Sequence, residues 1–121
     1  MSDVLTEKII GAAIEVHRIL GSGLLESIYE EALCIEFELR GISFERQVKT
    51  IVNYKGRPTK PQRVDLLVEK EVIVELKSVS SIPEFDIAKT LSYLKATELH
   101  RALLINFGKK RLIDGIKRLS L

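Results

Sequence analysis

At 121 residues, with 45% hydrophobic and 30% charged side chains and a net charge of +2, the chain is long enough for one domain with its own core and too apolar to be disordered. No apolar run approaches the roughly 20 residues of a membrane span, and the N-terminus lacks a signal-peptide pattern. The lone Cys34 excludes an internal disulfide and a thiolate zinc cluster, and His17 and His100 are too few for a histidine-rich metal site, so the expectation is a single cytoplasmic domain over residues 1–121 with no membrane partner.

In chain order, Leu5, Ile9, Ala13, Val16 and Leu20 recur at helical spacing between Ser2, a capping residue type, and Gly21, a natural stop, which predicts an amphipathic first helix. A second helix is predicted from near Ser22 and Gly23 to Gly41, carrying Leu25, Ile28, Tyr29, Ala32, Leu33, Phe37 and Leu39. Its Glu30 and Glu31 read as solvated residues, and Cys34 as a small core residue. Residues 42–54 alternate loosely through Val48, Ile51, Val52 and Tyr54 and predict a strand running into a turn at Lys55, Gly56, Arg57 and Pro58.

Two apolar runs follow, each interrupted by charge. In the first, Val64, Leu66 and Val68 share one face and Asp65 and Leu67 the other; in the second, Val72, Val74 and Leu76 share one face and Glu75 and Lys77 the other. If Glu69, Lys70 and Glu71 form a three-residue hairpin loop, Asp65 lies directly across from Glu75, and Arg63 from Lys77. Cross-strand Cβ atoms sit roughly 4.5–5.5 Å apart, where two like charges repel, so such a pair of carboxylates calls for a cation between them. An edge hairpin whose charges face water satisfies the same spacing equally well.

Beyond Lys77, the small residues Ser78 to Ser81 form a loop, and Pro83 suits the first turn of a helix with Ile87, Ala88, Leu91 and Leu94 on its core stripe. Residues 101–107 predict a buried strand. Leu112, Ile113, Ile116 and Leu119 fit a short helix, whereas residues 116–121 also fit an edge strand. The order α-α-β-β-β-α-β implies an α/β fold with a right-handed crossover and a mixed central sheet flanked by helices. Basic residues gather in Arg46, Lys49, Lys55, Arg57, Lys60 and Arg63, and again in Lys109, Lys110, Arg111, Lys117 and Arg118. Either group suits phosphate contact, and a solvated basic surface accounts for each as well.

The segment Gly23-Leu24-Leu25-Glu26-Ser27-Ile28-Tyr29 resembles the signature of the GxxExxY family, a branch of the PD-(D/E)XK nuclease superfamily. The likeness extends from Ile10-Gly11-Ala12-Ala13-Ile14-Glu15-Val16-His17 through Val64-Asp65-Leu66-Leu67-Val68 and Glu75-Leu76-Lys77 to Tyr93-Leu94-Lys95 and Leu104-Ile105-Asn106-Phe107-Gly108. It implies a restriction-endonuclease-like core and phosphodiester hydrolysis of DNA, or of RNA, with magnesium or manganese. Asp65 and Glu75 match the metal-binding carboxylates, Lys77 the motif lysine, and Glu26 the helix glutamate that completes the metal shell or accepts a bound water. Hard oxygen ligands suit those ions.

One position departs from the pattern. Exonuclease-like relatives carry a glutamine four residues before the tyrosine of the late helix; here Lys89 takes that place and Tyr93 keeps the tyrosine. Four residues apart, the two share a helix face and both suit a phosphate, with Arg63 a third contact, although lysine cannot accept a hydrogen bond as glutamine can. The departure leaves a second reading open, a nuclease-fold module of little or no activity that binds nucleic acid or a protein partner. A homodimer would supply a second site and a longer basic path.

Overall fold

Residues 3–121 are described by the computed structural model. Apolar residues at helical spacing make α1 (Val4–Leu20) and α2 (Glu26–Arg40). Ser2 lies outside the described residues; the cap of α1 is Asp3, whose carboxylate accepts hydrogen bonds from the Leu5 and Thr6 amides at 3.1 and 3.2 Å. The second helix starts later than Ser22 because Gly23, at φ 101°, holds the linker outside helical geometry.

Five strands form the main sheet in the order β1-β4-β5-β6-β7: β1 Phe44–Thr50, β4 Gln62–Val68, β5 Val72–Lys77, β6 Arg101–Asn106 and β7 Ile116–Ser120. Between β1 and β4 the chain makes a small separate hairpin, β2 (Asn53–Tyr54) and β3 (Arg57–Pro58). The long strand expected over 42–54 is therefore two pieces. Lys55 and Gly56, both at positive φ (51° and 78°), supply the tight turn that ends it. The β5–β6 pair is parallel and is joined by α3 (Glu84–Thr97), with Pro83 immediately before its first turn; every other pairing is antiparallel, so the sheet is mixed as expected. Both readings of the tail are realised in succession, a 3-10 turn at Leu112–Gly115 and then β7 on the sheet edge.

Each face of the sheet has its own core. On one side α1 and α2 bring Ile9, Ala13, Leu33 and Phe37 against Leu66, Val68, Val72, Val74, Leu76, Leu103 and Ile105. On the other, α3 brings Tyr93 and Leu94 against Val64, Ile73 and Ala102. Among the described residues no helix is long and apolar enough to cross a membrane.

Candidate active site at the open end of the β4–β5 hairpin

The hairpin loop is Glu69–Lys70–Glu71, and the pairs Val68↔Val72, Leu67↔Ile73 and Leu66↔Val74 give the register expected of three loop residues. Glu69 and Lys70, at φ 51° and 57°, accept a strained backbone to make that turn. One step beyond the last pair, Asp65 meets Glu75. There side chains replace the ladder: the Asp65 amide donates to Glu75 Oε1 at 2.8 Å, and the Leu76 amide donates to Asp65 Oδ2 at 2.8 Å. The strands separate from this point, so Arg63 is not paired with Lys77, contrary to expectation. Its guanidinium instead donates to the Gln47 carbonyl at 3.3 Å.

Gln47 causes part of the opening. It lies between the pairs Arg46↔Leu66 and Val48↔Val64, hence opposite Asp65, and its φ of 51° takes β1 out of the pleat. Val64 consequently packs with Val48 on the α3 side, while Leu66 and Val68 pack on the α1–α2 side, so the single face expected for the three is split. The Gln47 amide donates to Glu30 Oε1 at 2.9 Å and reaches to 3.5 Å from Asp65 Oδ1. Glu30, expected to be solvated, is buried and ion-paired with Arg46 at 2.9 Å. Gln47 and Glu30 thus join the site without a motif to announce them. A helical glutamate was visible in the sequence, but its partners lie on another element.

Glu75 is 5% exposed. Burial first, and then the facing Asp65, push its carboxyl up to about 7. Lys77 lies on the same face of β5 and pairs with Asp86 of α3 at 3.1 Å; Lys89, one turn along α3, lies 3.5 Å from the same carboxylate oxygen. Burial lowers the Lys77 ammonium, but Asp86, Glu26 and Glu75 outweigh it and leave its pKa raised. The lysine is therefore a fixed cation. Asp86, buried between two lysines, is a further residue that sequence spacing did not single out. Tyr93 is buried, donates to Gln62 Oε1 at 3.0 Å, and has its ionisation raised by burial and then by Glu75, Asp65 and Asp86.

Glu26 occupies the first turn of α2, exposed, and is not drawn into one cluster with Asp65 and Glu75; among the described residues no three His, Cys, Asp or Glu side chains group to hold a metal. What fixes its helix is a set of tethers. The buried Tyr29 stacks on Phe107 at 4.4 Å, and its hydroxyl donates to the Gly21 carbonyl and accepts from the Leu24 amide. Ser78 Oγ donates to the Leu24 carbonyl at 2.7 Å, tying the same loop to the residue after Lys77. The Asn106 side chain holds both the Val79 amide and carbonyl, at 3.0 and 2.8 Å, and the Phe107 amide donates to the Lys77 carbonyl. His17 bonds the Lys109 carbonyl through Nε2 at 2.9 Å, which gives it a structural partner beyond the helix end. Cys34 is buried, its thiol pushed up to about 11 by burial, and behaves as a core residue.

The donor set suits a hard divalent cation at two residues. One oxygen of each carboxylate is anchored to an amide of the opposing strand, while Glu75 Oε2 accepts no hydrogen bond among the described residues and Asp65 Oδ1 has only the distant Gln47 amide. Two carboxylates with waters and phosphate oxygens are a normal magnesium environment. A family model described as PD-(D/E)XK nuclease superfamily matches residues 3–119. The chain belongs to the PD-(D/E)XK nuclease superfamily. Its three helices around a mixed five-stranded sheet agree with the restriction-endonuclease-like architecture of a PD-(D/E)XK protein. No curated protein and no solved structure matches this PD-(D/E)XK chain.

Proposed function

We propose that this nuclease-superfamily domain hydrolyses phosphodiester bonds in DNA or RNA with magnesium or manganese, and that within the superfamily it belongs to the GxxExxY branch. The observation that carries the reading is the meeting of Asp65 and Glu75 where the hairpin ladder gives way, with Lys77 on the same face. A bound magnesium or manganese ion supplies a Lewis acid for the phosphate and an acidified water. Asp65 and Glu75 would hold that ion, each presenting the oxygen not already anchored to the sheet. Lys77, kept protonated by Asp86, offsets charge developing on the phosphate and orients the attacking water. Glu26 would act across solvent on a bound water, Lys89 and Arg63 would contact the flanking phosphates, and Tyr93, buried with its hydroxyl on Gln62, would brace the start of β4 beneath them rather than touch a phosphate itself.

A binding module without hydrolysis is the second reading. Lys89 favours it, because it is drawn to Asp86 and cannot accept a hydrogen bond as the glutamine of exonuclease-like relatives would. The two readings part in one experiment, cleavage of labelled linear, circular and single-stranded DNA and RNA with magnesium or manganese by the wild type, Asp65→Asn and Lys77→Ala. Metal-dependent cleavage that falls at least roughly 100-fold in both variants is the expected result for a nuclease. Equal cleavage by all three proteins, or none by the wild type on any substrate, would overturn it.

A further inference from the structure

The stretch from 46 to 64 contains Arg46, Lys49, Lys55, Arg57, Lys60 and Arg63 and no aspartate or glutamate. Arg46 is held by Glu30. The other five pair with no carboxylate among the described residues, and every residue from 51 to 63 is exposed. Thr59 closes the base of the β2–β3 hairpin, its amide and hydroxyl both donating to the Val52 carbonyl at 3.0 and 2.6 Å.

This arm stands at the catalytic end of the sheet. β4 runs antiparallel to β5, so its first residue, Gln62, lies toward the end of β5 that finishes at Lys77. Gln62 accepts from Tyr93, and Asp65 is three residues up the strand, roughly 10 Å away. A groove of about 390 Å³ separates the arm from α3, lined by Ile51, Val52 and Asn53 on one side and Ser92, Lys95 and Ala96 on the other.

Cations alone would suit any phosphate backbone. Here they surround apolar and aromatic surface, with Tyr54 67% exposed on the hairpin, Lys55 Nζ 5.6 Å from its ring centroid, and Ile51 and Val52 exposed beside the groove. A duplex hides the faces of its bases, whereas a single strand offers them for stacking. We infer that the β2–β3 hairpin and the groove beside α3 bind one nucleic-acid strand, Tyr54 stacking on a base while Lys49, Lys55, Arg57, Lys60 and Arg63 take its phosphates, and lead that strand to Asp65 and Glu75. Only the destination of the strand rests on the nuclease reading; the binding surface stands without it.

The composition supplies a direct probe. The chain has three tyrosines and no tryptophan, and of the tyrosines Tyr29 and Tyr93 are buried, so Tyr54 is the one that a bound strand can quench. Wild type and Tyr54→Leu are titrated in EDTA with oligothymidylate, oligouridylate and a DNA duplex, following tyrosine emission and, separately, anisotropy of the labelled nucleic acid. The expected result is quenching by single strands in the wild type and a roughly 5- to 100-fold weaker single-strand affinity in Tyr54→Leu, with duplex affinity changed less than about twofold. The stronger of the two oligonucleotides tells DNA from RNA.

Unchanged single-strand affinity in Tyr54→Leu, an equal loss on duplex, or no binding of any nucleic acid by the wild type would overturn the inference. EDTA keeps this measurement apart from catalysis. A protein that cleaves nothing yet binds strands through Tyr54 would sink the nuclease reading and leave this one standing.

Discussion

Glu75 sits across from Asp65 almost out of contact with water, so its ionisation opposes folding. Its folded carboxyl titrates near 7 against an ordinary 4.5, and the folded chain therefore keeps a proton that the unfolded chain has already lost. The stabilisation from this group is complete below pH 4.5 and is lost as pH rises through 7. Glu75→Gln is expected to be more stable than wild type at pH 8, by up to about 3 kcal/mol, and close to it at pH 4, as read by urea unfolding. At pH 8 magnesium should raise the melting temperature of the wild type and leave that of Glu75→Gln unmoved. Thr50 makes a second case: among the described residues its hydroxyl is buried without a hydrogen-bond partner, so Thr50→Val should raise stability by about 1 kcal/mol in the same assay. Asp65, Glu75 and Lys77 were legible as residues because strand alternation sets Glu75 and Lys77 on one face and a three-residue loop brings Asp65 opposite Glu75. Gln47, Glu30 and Asp86 were not, because a positive φ inside a strand and contacts between distant elements leave no periodic trace.

Elements reach their positions through polar tethers at their ends. Asn106, at the end of β6, satisfies the Val79 amide and carbonyl and the Gly108 amide, so Asn106→Ala would leave three backbone groups without partners. A loss of roughly 2–4 kcal/mol in urea unfolding is expected. Gly108→Ala should cost as much or more, since a Cβ there would stand 2.2 Å from the Val79 carbonyl oxygen, a backbone atom with little freedom to move. The segment Asn106-Phe107-Gly108 was recognisable as part of a family pattern, but its work, holding the loop after Lys77, appears only once β5 and β6 lie side by side. The three-residue hairpin loop was legible from charge and spacing. The small β2–β3 hairpin was not, because its two-residue strands are too short for alternation to register.

Across the whole molecule, a net charge of +2 conceals a strong separation, with the cations of residues 46–63 at one end of the sheet. If the five without carboxylate partners all meet phosphates, the logarithm of single-strand affinity should fall with the logarithm of salt at a slope of about −3.5, and Arg57→Ala should reduce that slope by about 0.7. A shallow slope in the wild type would place the binding surface elsewhere. The helix-strand order and the two-sided core followed from hydrophobic periodicity, whereas the division of the strand expected over 42–54 and the change of face at Val64 depended on backbone angles that periodicity does not encode.

The carboxylates that open the hairpin also hold it, each standing in for a missing rung between β4 and β5. A residue at either position must therefore keep an oxygen that accepts the facing amide, which asparagine and glutamine offer as the carboxylates do. On the proposed reading, a descendant without a substrate would still need that acceptor at positions 65 and 75 but not its charge, and position 75 would gain stability above neutral pH as glutamine. Among the described residues, Lys77 is tied through its side chain to Asp86 alone, a buried carboxylate that Lys89 also approaches. Among relatives of this chain, exchange of the carboxylates for amides together with loss of that lysine would mark a fold kept without hydrolysis.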